Sequence, residues 1–215
     1  AVQTKKLSQL QKILQNQIER FGDNILVRGT IVKGGNFYDY RKLPYVKIED
    51  NTINGNPVNL KNYSGATLRG VNSGVTAVVI TTLDGTSNNS PNLNTLYVKY
   101  TQSGVDSSGK DIKTFVTGET LEVTVGGVIQ PDISVSVVPL SIDRNPVGNG
   151  YAVSCGDGII YQKGFFVRFE NQITVISRYN TVPDDIVVGF ITEEEIVTAL
   201  EDTTLYNNAA GFYNQ

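Results

Sequence analysis

The sequence predicts a mainly β protein, built of antiparallel sandwich-like or barrel-like modules with one N-terminal α-helix. Two observations predict it. Apolar residues recur at three- and four-residue steps in the first 22 positions. Beyond them, short β-branched or alternating runs follow one another between turns rich in Gly, Asn and Pro. With 215 residues, 40% hydrophobic and 18% charged, the chain can fill one large β domain or two small ones.

The helix rests on Leu7, Leu10, Leu14 and Phe21, with Gln17 at the remaining heptad position and Ile13 and Ile18 widening the stripe. Gly22 is its expected left-handed stop, ahead of Asp23 and Asn24. Such a stripe suits a helix lying on its own β domain or one that meets a partner. Leu7, Leu10, Leu14, Ile18 and Phe21 are therefore the candidate subunit-contact residues.

The strands follow in order. Ile25-Leu26-Val27 and Ile31-Val32 flank Gly29, and Tyr45-Val46-Lys47-Ile48 leads to Asn54-Gly55, a hairpin signal. Val75 to Ile80 is β-branched and nearly continuous, the pattern of a strand buried on both faces. Leu96, Val98 and Tyr100 alternate with Tyr97 and Lys99; Leu121, Val123 and Val125 alternate with Glu122 and Thr124; Ile133, Val135 and Val137 alternate with Ser134 and Ser136. Residues 84–94, with four Asn, and 102–110 read as loops. The stretch 145–150 reads as a boundary or crossover, after which 158–169, 173–176 and 186–191 are strand-like. The run from Ile196 to Leu200 fits a strand or a short helix equally, and the end of the chain fits an extended tether.

Composition excludes several chemistries. There is no His and one Cys, so zinc sites and Ser/His or Cys/His nucleophile pairs are unavailable, as is an internal disulfide. A net charge of −3 offers no basic field for nucleic acid, and no apolar run is long enough for a membrane span. The dense carboxylates, Asp184-Asp185, Glu193 to Glu195 and Glu201-Asp202, are consecutive, whereas glycoside hydrolysis needs a separated pair with one acid in an apolar setting. Asp84 to Asn89 carries oxygen ligands at alternating positions but no later Glu, so a hydrated turn outweighs a calcium loop. Cys155 is expected as a small core side chain. Phe37, Tyr38, Tyr40, Tyr45 and Tyr63 suit a subunit interface or a sugar-binding surface. No catalytic, cofactor-binding or metal-binding residue is assigned.

Residues 150–215 resemble a domain of unassigned function found in tail-fibre and baseplate proteins of tailed bacteriophages. The matching residues are Gly164-Phe165-Phe166-Val167-Arg168, Val188-Gly189-Phe190, Glu194-Glu195-Ile196-Val197-Thr198 and Asp202-Thr203-Thr204-Leu205-Tyr206-Asn207-Asn208-Ala209-Ala210-Gly211-Phe212. The front, Gln17 to Asn24 and then Gly29 to Gly35, is similar to the family's opening element. The resemblance covers roughly residues 10–40 and 150–215 and is less specific between them. It implies a non-enzymatic structural protein of the virion tail, a fibre anchor or baseplate part assembled in the host cytoplasm. It also implies a homotrimer contacting other tail proteins and a chain that continues beyond residue 215. The expected organisation is a helix at 1–22, a β domain from 23–41 and 146–192, an inserted β domain at 42–145, and a tether at 193–215. The alternative is a host-surface receptor- or carbohydrate-binding module working through loops 84–94 and 102–110.

Overall fold

The computed structural model describes residues 2–49, 58–85, 93–179, 182, 184–193, 195, 197–198, 200–202, 206–207 and 212–213. The Asn54-Gly55 turn, residues 86–92 of the first loop, and Glu194, Ile196 and Ala199 lie outside them. The chain is mainly antiparallel β, and among the described residues its one α-helix lies at the N-terminus. It divides into two units, Ala1–Asp184 and Asp185–Gln215.

In the first unit, helix α1 (Val2–Ile25) leads to β1 (Ile31–Gly34), β2 (Phe37–Lys47), β3 (Thr67–Gly70), β4 (Thr76–Leu83) and β5 (Thr95–Gln102). Then come β6 (Gly104–Val105), β7 (Asp111–Ile112), β8 (Thr120–Val125), β9 (Val128–Ile129) and β10 (Val135–Ser136). The unit ends with β11 (Val147–Cys155), β12 (Gly158–Gln162), β13 (Phe165–Phe169) and β14 (Gln172–Ser177).

Strands β10, β8, β3, β4, β5 and β2 pair in that order, and the chain just past β10 returns to the end of β2. There Ile48 bridges Val137, the Glu49 amide donates to the Ser136 carbonyl at 2.9 Å, and the Val138 amide donates to the Lys47 carbonyl at 3.0 Å. These bonds close the six strands into a small barrel, which leaves no open edge on that side. Alternate residues fill it: Val46, Leu68, Ala77, Val79, Leu96, Val98, Leu121 and Val123 are all buried in one cluster. Beyond the barrel the sheet continues from β2 to β11 and β14, while β1, β12 and β13 form a separate three-stranded sheet.

Three sequence expectations change here. Val75 to Ile80 is buried on one side only, because Thr76 and Val78 are partly exposed and Ile80 is exposed. Strand β5 is covered on both faces instead, as is the end of β2: Leu96 and Val98 point into the barrel, and Tyr97 packs outward with Leu43, Tyr45 and Ala152. Partly buried Ile173, Val175 and Tyr179 cap that outer cluster. Residues 147–150 do not form a boundary but the first half of β11, paired to β2 at Val147↔Val46 through Gly150↔Leu43. Ile25 ends the helix, so 25–27 is not a strand.

The second unit carries β15 (Tyr206–Asn207) paired with β16 (Phe212–Tyr213). The strand expected at 186–191 does not form among the described residues, and Val187 and Ile191 there are exposed. Leu200 and Glu201 lie in a turn, and the Glu201 and Asp202 amides both donate to the Thr198 carbonyl at 3.0 Å.

Candidate functional site

The position of α1 is set by the hairpin β12–β13. Its two-residue turn, Lys163-Gly164, has φ of +46° and +82°, the left-handed pair that a tight hairpin requires. A Cβ on Gly164 would lie 2.8 Å from the Glu19 Cβ, so the residue that makes the turn also lets the helix approach. Gln15 Nε2 donates to the Gly164 carbonyl at 3.2 Å. One turn further, the buried Tyr161 hydroxyl is 3.1 Å from the Glu19 carbonyl and 3.0 Å from Asp23 Oδ1. Burial, with the Asp23 carboxylate beside it, raises the pKa of this phenol.

Gly22 is not the helix stop expected of it. It lies inside α1, buried, and a Cβ there would sit 2.3 Å from the Tyr161 hydroxyl oxygen. The helix thus docks through a narrow face of Gln15, Glu19 and Gly22 and turns its apolar stripe aside. Leu7, Leu10, Leu14, Ile18 and Phe21 are 58%, 54%, 50%, 45% and 70% exposed. All five candidate contact residues therefore share one uncovered strip of the first unit. Beside it Gln17, Ile18, Phe21, Gly22, Ile25, Leu26 and Phe166 line a mostly apolar groove of about 480 Å³.

A second, polar cleft of about 530 Å³ opens at the other end of the three-stranded sheet. Lys33 and Arg168 occupy the strands on either side of Ile159, in register with it, and Asn36, Tyr38 and Asp157 complete the wall. Of the aromatic cluster, Phe37, Tyr38 and Tyr40 are exposed, whereas Tyr45 and Tyr63 are buried.

The carboxylates divide by burial. Asp184, Asp185, Glu193 and Glu195 are exposed. Glu201 accepts from the Thr198 amide at 2.8 Å and hydroxyl at 3.1 Å, which holds its carboxyl below the usual range. Asp106 accepts from the Ser108 hydroxyl and the Lys110 amide within the second loop and is lowered in the same way. Cys155 is buried, and burial pushes its thiol up.

Three buried charged side chains, at two sites, had no sequence signal. Lys47 pairs with Asp143 beneath the Tyr179 ring, whose centroid is 3.9 Å from Nζ. Glu119, 1% exposed, accepts from the amides of Asn72, Ser73 and Val116 and from the Ser73 hydroxyl. Both organise loops around the barrel, and neither faces either cavity.

No family model, no curated protein and no solved structure matches this chain. Any functional reading therefore rests on the site itself and on the motif resemblance.

Proposed function

We propose that the chain is a structural component of a phage tail, a fibre anchor or baseplate protein, that acts through contacts between its own copies and with neighbouring tail proteins. The observation that carries the reading is the exposed α1 stripe, on a helix already anchored by another face. An isolated exposed Leu means little, but five along one helix beside an apolar groove form a patch of the kind that marks an association surface. Covering the exposed halves of these side chains contributes roughly 4–8 kcal/mol per chain. That is comparable with the cost of association and large enough to select a partner. The motif resemblance supplies the setting, the virion, and the expected homotrimer.

Light scattering of the purified chain across a concentration series tests this. Assembly to a trimer, abolished by Leu10→Asp or Leu14→Asp with the β fold retained, is the expected result. A monodisperse monomer at high concentration counts against it.

The polar cleft favours the second reading, a host-surface carbohydrate module. Tyr38 offers an exposed ring, and Lys33, Arg168, Asn36 and Asp157 offer hydrogen-bonding groups around it. Binding on a glycan array that is lost in Tyr38→Ala distinguishes it from the purely structural role.

A further inference from the structure

We propose that the polar cleft binds an acidic saccharide, whose carboxylate or phosphate group sits between Lys33 and Arg168. The inference rests on the carbohydrate reading of this cleft and names the class of sugar it takes. A bulge in β1 places the first cation. Ile31 pairs with Ile160, but Lys33, two residues on, pairs with Ile159. In an unbroken ladder Val32 would oppose Ile159, and Lys33 would fall on the other face of the sheet. The extra residue turns Lys33 to the face that Arg168 occupies, because Arg168 also pairs with Ile159. Residues directly opposite one another share a face, so Lys33, half-buried Ile159 and Arg168 form one row along the cleft. Two strand spacings separate the cations, about 10 Å between their backbones. Side chains of that length can hold one anionic group by charge-assisted hydrogen bonds from both sides.

Among the described residues neither cation forms an ion pair, and Asp157, on the same wall, is joined to neither. The cleft therefore sets two cations against one carboxylate, in a chain whose net charge is −3. Its other groups suit the rest of a sugar. Tyr38, 54% exposed, offers a ring face to a pyranose, and Asn36 and Asp157 can take hydroxyls. Asp157 also disfavours a dense polyanion such as nucleic acid, and suits single acidic groups spaced by neutral rings. The wall is formed in advance of any ligand. The Gly35 amide donates to the Asp157 carbonyl and the Gly156 amide to the Asn36 carbonyl, both at 2.9 Å. A Cβ on Gly34 would lie 2.2 Å from the Asp157 carbonyl oxygen, so this close crossing requires glycine.

A glycan array of uronate-bearing, phosphorylated and neutral oligosaccharides, probed with the full chain and four variants, tests the proposal. Signal is expected on the acidic sugars alone, and the stronger of the two acidic classes identifies the anion. Lys33→Gln and Arg168→Gln should each weaken it roughly tenfold. Lys99→Gln, which removes a cation of β5 outside the cleft, should leave it unchanged. All three positions are exposed, so circular dichroism should show the parent fold. Equal binding of neutral and acidic sugars, lost in Tyr38→Ala, overturns the acidic specificity and leaves the carbohydrate reading standing. An equal loss in Lys99→Gln also overturns it, by reducing the attraction to overall charge. Absence of binding to every sugar removes both readings of the cleft together.

Discussion

Lys47 and Asp143 come from positions 96 apart in the sequence and meet where water is excluded, at 2% and 5% side-chain exposure. Asp143 also accepts from the Asn145 amide at 2.9 Å, and Lys47 lies over the Tyr179 ring, so both charges are well supplied with partners. Lys47→Met leaves the carboxylate buried beside a thioether and should cost about 3–5 kcal/mol in urea denaturation. Adding Asp143→Leu should recover most of that, because two apolar groups replace an isolated charge. A single variant as stable as the parent excludes a structural role for the pair. Glu119 poses the opposite problem, a buried carboxylate held by neutral donors alone. One oxygen takes the Asn72 and Ser73 amides, the other the Val116 amide and the Ser73 hydroxyl. Glu119→Gln turns an NH₂ group toward N–H donors in either orientation, so about 1–3 kcal/mol of stability should be lost. An unchanged denaturation midpoint disproves this account of the site.

The helix illustrates how an element's orientation is fixed by contacts its own pattern does not show. Its apolar periodicity leaves open whether Leu7, Leu10 and Leu14 lie on the β domain or meet a partner; the face that docks on the domain is Gln15, Glu19 and Gly22. Close approach at Gly22 and Gly164 sets the rotation of α1 about its axis, and that rotation leaves the stripe uncovered. Gly22→Ala tests this with opposed terms. Intrinsic propensity favours Ala in a helix by about 1 kcal/mol. The new Cβ, however, falls within 2.5 Å of the Tyr161 ring. Overlap should win: amide hydrogen exchange in residues 15–25 should accelerate while the barrel amides keep their protection. Slower exchange along α1 refutes the Gly22 contact. A similar inversion explains β5, whose second face is buried by Leu43, Tyr45 and Ala152 from β2 and β11, with Ile173, Val175 and Tyr179 over them.

At the scale of the whole molecule, a closed barrel and an outer tyrosine cluster share strands β2 and β5, and their phenols are stable only while neutral. Burial pushes Tyr45, Tyr63 and Tyr100 up to about 12 and Tyr97 higher still. Tyr63 donates to the Ile133 carbonyl at 2.8 Å and Tyr97 to the Arg178 carbonyl at 3.0 Å, bonds that a phenolate cannot make. An unfolded tyrosine ionises near 10. Between about pH 10 and 12 the native state therefore binds more protons than the unfolded chain, and stability falls as pH rises. The contribution is fully present below pH 10. Spectrophotometric titration should show these four tyrosines ionising late and together with loss of the far-ultraviolet β signal. Ionisation of all 11 tyrosines near pH 10 with the fold intact contradicts their burial.

The sequence by itself determined the mainly β class, the place of the one α-helix, its apolar stripe, and the inward-facing Leu121, Val123, Val135 and Val137, though not Val125, which is exposed. Each of these is a local periodicity, and a period of 2 or 3.6 states which residues share a face. It does not state what covers that face. Only the tertiary structure decided that Ile48 meets Val137 to close the barrel, that β5 rather than β4 is covered on both sides, and that Lys47 finds Asp143. It also decided that Gly22 serves contact with Tyr161 instead of ending the helix. In every such case the partner comes from a distant part of the chain, and pairing across that distance depends on closure and burial, which local spacing does not encode.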